Sequence, residues 1–250
     1  MMRVLNSEDF ILHVRIDMTK WSTHNSRWPN AIVGNSIPSQ KTFELDDTFT
    51  NLEIGDKLTG NIHIEQIPED RQPSIEIKGD ANLVEQVKYN LYNGRLILSA
   101  DNRFRSRNNL TINLYTNDLK SIQADFVGSI RMDRAFTGEA MEIIMKGVGS
   151  FRADSLYINV LTVRTEGVGS STLSGKADRT SLATAGTGSI NAFELLSDTV
   201  SAYVNGVGSI RCNPIAFLEG RIYGIGSITY KEEPLNKDIS SFGIGSIKKR

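Results

Sequence analysis

The stretch GVGSFRA at residues 147–153 decides the fold, because it recurs throughout the second half of the chain. Related stretches begin at residues 126 (FVGSIRM), 167 (GVGSSTL), 186 (GTGSINA), 206 (GVGSIRC), 224 (GIGSITY) and 243 (GIGSIKK). Neighbouring copies start 18 to 21 residues apart. A nearly constant period of this length is typical of a repeat architecture.

Aligning the copies reveals three columns of mostly apolar residues, with polar residues between them. The columns are Ile130, Phe151, Ser171, Ile190, Ile210, Ile228 and Ile247; Met132, Ala153, Leu173, Ala192, Cys212 and Tyr230; and Ile143, Val163, Leu182, Ala202, Gly220 and Ile239. A single coil could not bury its own apolar face, whereas coils stacked about 4.8 Å apart shield one another. The sequence therefore predicts an all-β chain in which residues 126–250 form a single-stranded right-handed parallel β-solenoid.

The paired glycines share the parity of the first column, which favours a position at the corners of the coils. Without a Cβ atom, they let the chain bend and let successive coils approach closely. The predicted corner glycines are Gly147, Gly149, Gly167, Gly169, Gly186, Gly188, Gly206, Gly208, Gly224, Gly226, Gly243 and Gly245.

The residues between the glycines form the candidate interaction stripe. They are Val127, Val148, Val168, Thr187, Val207, Ile225 and Ile244, and each is followed two residues later by a serine. If the glycines face inward, this stripe faces solvent beside a ladder of hydroxyls. A bend that reverses the parity would bury it instead, and the sequence leaves both orientations open.

The repeated motif does not match the ligand-binding loops that it superficially resembles. A dinucleotide-binding G-x-G-x-x-G loop needs a third glycine and a following helix. A calcium-binding β-roll needs an aspartate two residues after its second glycine, where this chain has residues such as Ile130 and Phe151. No cofactor or metal is expected.

Composition argues against several classes of function. The 250 residues carry a formal net charge of −1, which is not the basic footprint of a nucleic-acid binder. No apolar run approaches the roughly 18 residues of a transmembrane span. The single cysteine excludes an intrachain disulfide. The three histidines, His13, His24 and His63, all precede the repeats, which leaves little material for a metal site or a catalytic triad.

The first half of the chain divides into two parts. Residues 1–41 are predicted to be a poorly ordered segment, in which no signal peptide is recognisable. Residues 42–125 alternate apolar and polar positions, as at Leu52 and Ile54, and predict a sheet-like portion preceding the solenoid. Asn93-Gly94 predicts a two-residue hairpin turn, and ANLVEQV (81–87) predicts one helical turn.

One enzymatic alternative remains open. Asp133 and Asp154 fall at equivalent positions of two adjacent copies, and Arg131 and Arg152 flank them. A β-helical enzyme acting on polysaccharides would gather such acidic and basic residues on neighbouring coils. A cluster confined to two coils is more typical of surface ion pairs.

Several stretches together resemble the auto-transporter adhesin head GIN domain family over residues 42–250. They are FTNLEIGDKLTGNIHIEQ (49–66), PSIEIKGDANLVEQVKYNLYNGRLILSA (73–100), LTINLYTNDLKSIQADFVGSIRM (110–132) and YGIGSITYKEEPLNKDISSFGIGSIKK (223–249). In the family the motif often reads Gly-x-Gly-Asp, whereas serine takes the acidic position here. The resemblance implies a parallel β-helical fold and a non-enzymatic, adhesin-like role in the cell envelope or outside the cell. The partner would be an envelope glycan or protein, or a second copy of the chain.

Overall fold

The computed structural model describes residues 31–105 and 110–250. Within these ranges the chain forms strands and one short helix, α1 (Ala81–Val84). The strands are β1 (Ile32–Val33), β2 (Pro38–Glu44), β3 (Asn51–Ile54), β4 (Thr59–Gln66), β5 (Ser74–Asp80), β6 (Val87–Tyr92), β7 (Arg95–Ala100), β8 (Phe104–Arg105), β9 (Thr111–Thr116), β10 (Ser121–Ala124), β11 (Val127–Met132), β12 (Phe136–Met145), β13 (Val148–Thr165), β14 (Val168–Thr184), β15 (Thr187–Val204), β16 (Val207–Ile222), β17 (Ile225–Tyr230), β18 (Asn236–Ser241) and β19 (Ile244–Lys249). All except β1 and β8 belong to one continuous sheet. The all-β prediction is confirmed.

The repeats stack as parallel coils of about 20 residues, which confirms the predicted β-solenoid. Each copy of the motif pairs in register with the next, from Val148 on β13 to Val168 on β14 and onward to Ile244 on β19. This register follows from the sequence period, because equal spacing places identical positions on neighbouring coils.

The cross-section of a coil has three short sides, and each side contributes buried side chains to the core. In the coil that begins at Gly147, the buried side chains are Phe151 and Ala153, then Leu156 and Ile158, then Leu161, Val163 and Thr165. Between these groups, residues 154–155 and 159–160 break the alternation, because neither member of each pair is buried. The chain turns a corner at each break.

The predicted apolar columns form the core. Their members are buried from residue 130 to residue 230, and only the last coil leaves Ile239 and Ile247 partly exposed. Burying one isoleucine or leucine side chain stabilises a fold by roughly 1.5–3 kcal/mol. A continuous column therefore couples the stability of each coil to that of its neighbours.

Parallel coils extend upstream of the predicted boundary at residue 126. β10 pairs in parallel with β3, and β11 pairs in parallel with β4. On their other side, β3 and β4 pair in parallel with β7 and β9. The coil made of β3 and β4 thus lies between two coils that follow it in sequence. The front portion is part of the solenoid, because its alternating residues continue the same core.

Antiparallel strands cover the end of the stack formed by β7 and β9. β6 pairs with β7 through a two-residue turn in which Asn93 and Gly94 have φ values of 49° and 69°. This confirms the predicted hairpin, which needs positive φ at both positions. β5 covers β9, and α1 buries Leu83 and Val84 against this end of the core.

Strands occur at the end of the segment 1–41, which the sequence predicts to be poorly ordered. β1 pairs with β8, and β2 pairs along its whole length with β5, from Pro38 opposite Asp80 to Glu44 opposite Ser74. Backbone hydrogen bonds therefore hold these residues in place, although their polar composition predicted poor order. The prediction for residues 1–30, including Trp21 and Trp28, lies outside the described residues.

We expect Thr184→Val to raise the free energy of unfolding by about 1 kcal/mol, because the change removes a buried hydroxyl without altering the side chain's shape. Thr184 is fully buried, and its Oγ1 has no hydrogen-bond partner in the described part of the chain. Urea denaturation measures the difference. Thr165→Val is the control, since the Thr165 hydroxyl lies 3.3 Å from the Ser171 hydroxyl and its loss leaves that group unpaired. A loss of stability in Thr184→Val would contradict the prediction.

Candidate interaction surface

The paired glycines lie where successive coils come closest. A Cβ atom added to any of the twelve predicted corner glycines would lie no more than 2.6 Å from a backbone oxygen of the preceding coil. Any side chain there would force the coils apart. The glycines thus have a structural role in this structure, and the chain bends there with the parity of the inward column retained.

Because that parity is retained, the residues between the glycines point outward. We call their column the aliphatic ridge, defined as Val127, Val148, Val168, Thr187, Val207, Ile225 and Ile244. Five members of the ridge are 49–72% exposed: Val148, Val168, Val207, Ile225 and Ile244. At ~4.8 Å per coil the ridge is roughly 29 Å long. The sequence leaves the direction of the ridge open, whereas the structure shows that it faces solvent.

Aromatic residues widen the ridge at its C-terminal end. The rings of Tyr223 and Phe242 stack with their centroids 5.3 Å apart and their planes 8° from parallel. Each ring precedes a corner glycine and is more than half exposed. Together with Ile225 and Ile244, they form an exposed aromatic and aliphatic part of this surface.

Charged residues flank the ridge at its N-terminal end. A groove of about 290 Å³ runs beside Val127, Val148 and Val168. Asp56, Arg103, Asp125 and Lys146 also line it. The ridge is therefore apolar and aromatic at one end, and apolar with a mixed-charge border at the other.

Alignment of the internal repeats did not reveal one further copy of the motif, LTGNIHI at residues 58–64. Gly60 pairs with Gly128 and Asn61 pairs with Ser129, whose hydroxyl donates a 2.8 Å hydrogen bond to Asn61 Oδ1. The copy has a single glycine and lies far from the regular repeats in sequence. The signal that could have found it is the glycine followed two residues later by a buried isoleucine, Ile62.

A second concave feature, which we call the polar cleft, lies on the outer face near the capped end. It has a volume of about 280 Å³. It is lined by His63, Ile64, Glu65, Glu76, Lys78, Asn113, Leu114, Tyr115, Arg131, Asp133 and Arg134.

The two aspartates of the enzymatic alternative have different surroundings. Asp133 lines the polar cleft, and its Oδ2 lies 3.3 Å from His63 Nδ1. Asp154, on the next coil, accepts a 2.7 Å hydrogen bond from Arg152 Nε and does not line the cleft. The structure therefore places one of the two candidate carboxylates in a concave site and the other in a surface ion pair.

Hydrogen bonds in the cleft wall favour the charged form of Glu76. A hydrogen bond from Lys78, 2.8 Å away, lowers the pKa of Glu76, and hydrogen bonds from Asn113 and Gln40 act in the same direction. In the core, burial raises the pKa of the Cys212 thiol to about 12, which removes it from thiolate chemistry.

Neither a metal site nor a membrane span emerges from the described residues. In residues 31–105 and 110–250, histidine, cysteine and acidic side chains do not come together in groups of three or more that could hold a metal ion. Helix α1, at four residues, is far too short to cross a bilayer.

The fold and this surface define a β-solenoid protein that displays one repeated face along its axis. The chain belongs to the family described as "Putative auto-transporter adhesin, head GIN domain", whose profile matches residues 49–234. This confirms the resemblance seen in the sequence.

Solved structures agree with the family. A crystal structure described as a "putative adhesin" from Bacteroides fragilis is 30% identical with a TM-score of 0.82, and the match covers 88% of this chain and 100% of that one. A "putative lipid binding protein" from Parabacteroides distasonis shares the fold at 22% identity, with a TM-score of 0.70 and the same coverage. None of the curated proteins is significantly similar to this chain.

Proposed function

We propose that this protein is a non-enzymatic module of the cell envelope or surface, and that its aliphatic ridge mediates adhesion by packing against the ridge of a second copy. The observation that carries the proposal is the exposure of branched aliphatic side chains at one position of successive coils. Monomeric proteins rarely expose a contiguous apolar surface of this kind unless a partner covers it. Membership of an adhesin family supports a location at the envelope.

A second copy fits the ridge for a geometric reason. Two ridges packed antiparallel share the same repeat of about 4.8 Å, so the aliphatic side chains of one can interleave with those of the other. Such a contact is two-fold symmetric and uses the same surface on both partners. Tyr223 and Phe242 add exposed aromatic area, the kind of residue that dominates binding energy at interfaces.

The test compares two aspartate variants by sedimentation velocity over a range of concentrations. Val168→Asp combined with Val207→Asp should weaken self-association at least about tenfold, because an unpaired carboxylate in an apolar contact is strongly unfavourable. Val160→Asp is the matched control, since Val160 is an exposed valine at a different corner of the coil that precedes Val168. It should leave self-association unchanged.

Two outcomes would contradict this assignment of the partner. If the wild type is monomeric but binds an envelope glycan or protein through the ridge, that partner replaces the second copy. If it is monomeric and binds neither, the ridge is not a contact surface and the proposed function fails.

A further inference from the structure

The polar cleft contains an arginine whose charge is not neutralised by the protein. Arg131 lines the cleft and is exposed. Within residues 31–105 and 110–250, its guanidinium has no carboxylate within ion-pair distance and donates no hydrogen bond to another side chain. It is therefore available to an anionic ligand.

The next coil shows why this arginine is free. Arg152 is paired in register with Arg131, and its Nε donates to Asp154, two residues later, at 2.7 Å. Asp133 follows Arg131 at the same spacing, but it turns to His63 at 3.3 Å. His63 pairs in register with Arg131 on the other side. The neighbouring histidine thus takes the carboxylate that would otherwise neutralise Arg131.

The remaining cations of the cleft are already paired. Arg134 lies 2.7 Å from Glu65, and Lys78 lies 2.8 Å from Glu76. Glu76 also accepts a 2.6 Å hydrogen bond from Asn113. Arg131 is therefore the group through which the cleft would bind an anion.

We infer that the polar cleft binds one carboxylate-bearing sugar residue of an acidic polysaccharide, with Arg131 holding the carboxylate. A planar guanidinium binds a carboxylate through two parallel hydrogen bonds. The carboxylates of Glu65 and Asp133 offer acceptors to sugar hydroxyls, and Tyr115 contributes an aromatic ring to the wall. A volume of about 280 Å³ lies just below the range for drug-sized ligands and suits a single sugar residue.

Isothermal titration calorimetry with a galacturonic acid trimer tests the inference on the full chain. Arg131→Gln should weaken binding on the order of tenfold or more, since it removes the charge-assisted hydrogen bonds. Arg152→Gln is the matched control, because it changes the aligned arginine one coil away, outside the cleft, and should alter affinity less than about twofold. Both side chains are exposed, so thermal unfolding should confirm that both variants stay folded.

Further probes separate this inference from its rivals. A galactose trimer should not bind measurably, and a glutamate tetrapeptide should bind more weakly than the acidic trimer. Equal losses in the two arginine variants, equal binding of the peptide, or no binding by the wild type would each overturn the inference. Release of new reducing ends that Asp133→Asn abolishes would replace binding with the enzymatic alternative. The ridge plays no part in these measurements, so either proposal can fail alone.

Discussion

Gly149→Ala should lower the free energy of unfolding of the solenoid by more than about 4 kcal/mol. Single substitutions cause losses of this size only when they create severe steric or core defects. The new Cβ atom would overlap the carbonyl oxygen of Gly128 and lie 2.9 Å from its carbonyl carbon. Both are backbone atoms of the preceding coil, and that coil is itself held in register on both sides. The strain cannot be relieved by rotating a side chain, so the two coils must separate at this corner.

Circular dichroism during thermal unfolding measures the effect, and Gly138→Ala is the matched control. Gly138 lies on β12, and a Cβ atom there would meet only Ile158 Cδ1, at an ordinary 3.5 Å. The control should unfold within a few degrees of the wild type. A similar unfolding midpoint for Gly149→Ala would show that the close approach of the coils is not required.

Phe151→Ala should lower the free energy of unfolding by about 3–5 kcal/mol, because it leaves a cavity in the central column of the core. Phe151 is 1% exposed and lies between Ile130 and Ser171 on the adjacent coils. Neither neighbour can fill the vacated volume, since the backbone register fixes both. Urea denaturation should show a lower midpoint with an unchanged slope.

Tyr157→Ala provides the control for Phe151→Ala. It removes an aromatic ring of similar size from the same strand, but Tyr157 is 53% exposed. We expect it to cost less than about 1 kcal/mol. Equal losses in the two variants would mean that the column does not carry the stability assigned to it.

Much of the solenoid could be predicted from local pattern. The recurrence of the glycine pairs fixed the coil length, and alternation between Ile130 and Met132 identified the inward side. The Asn93-Gly94 turn and α1 were also predicted, because both depend on neighbouring residues. Interactions between residues close in sequence leave a signal in any window that contains them.

The placement of β3 and β4 could not be predicted in this way. Their copy of the motif has one glycine instead of two, and it pairs with strands about seventy residues further along the chain. The coil that follows it in the stack is not the next one in sequence. Pairing with β10 and β11 on one side and with β7 and β9 on the other makes this copy part of the solenoid.

The same distinction between local pattern and long-range contact applies to the candidate sites. The sequence identified the ridge residues but not their direction, since a bend at glycine can either preserve or reverse the inward–outward alternation. It identified Arg131 and Asp133 but could not place His63 beside them, since that pairing joins two coils. The sequence by itself determined which residues repeat, because stacked coils demand equal spacing. Tertiary structure alone decided that the ridge faces solvent and which side chains meet between coils, because these depend on backbone torsions at the corners and on contacts between distant segments.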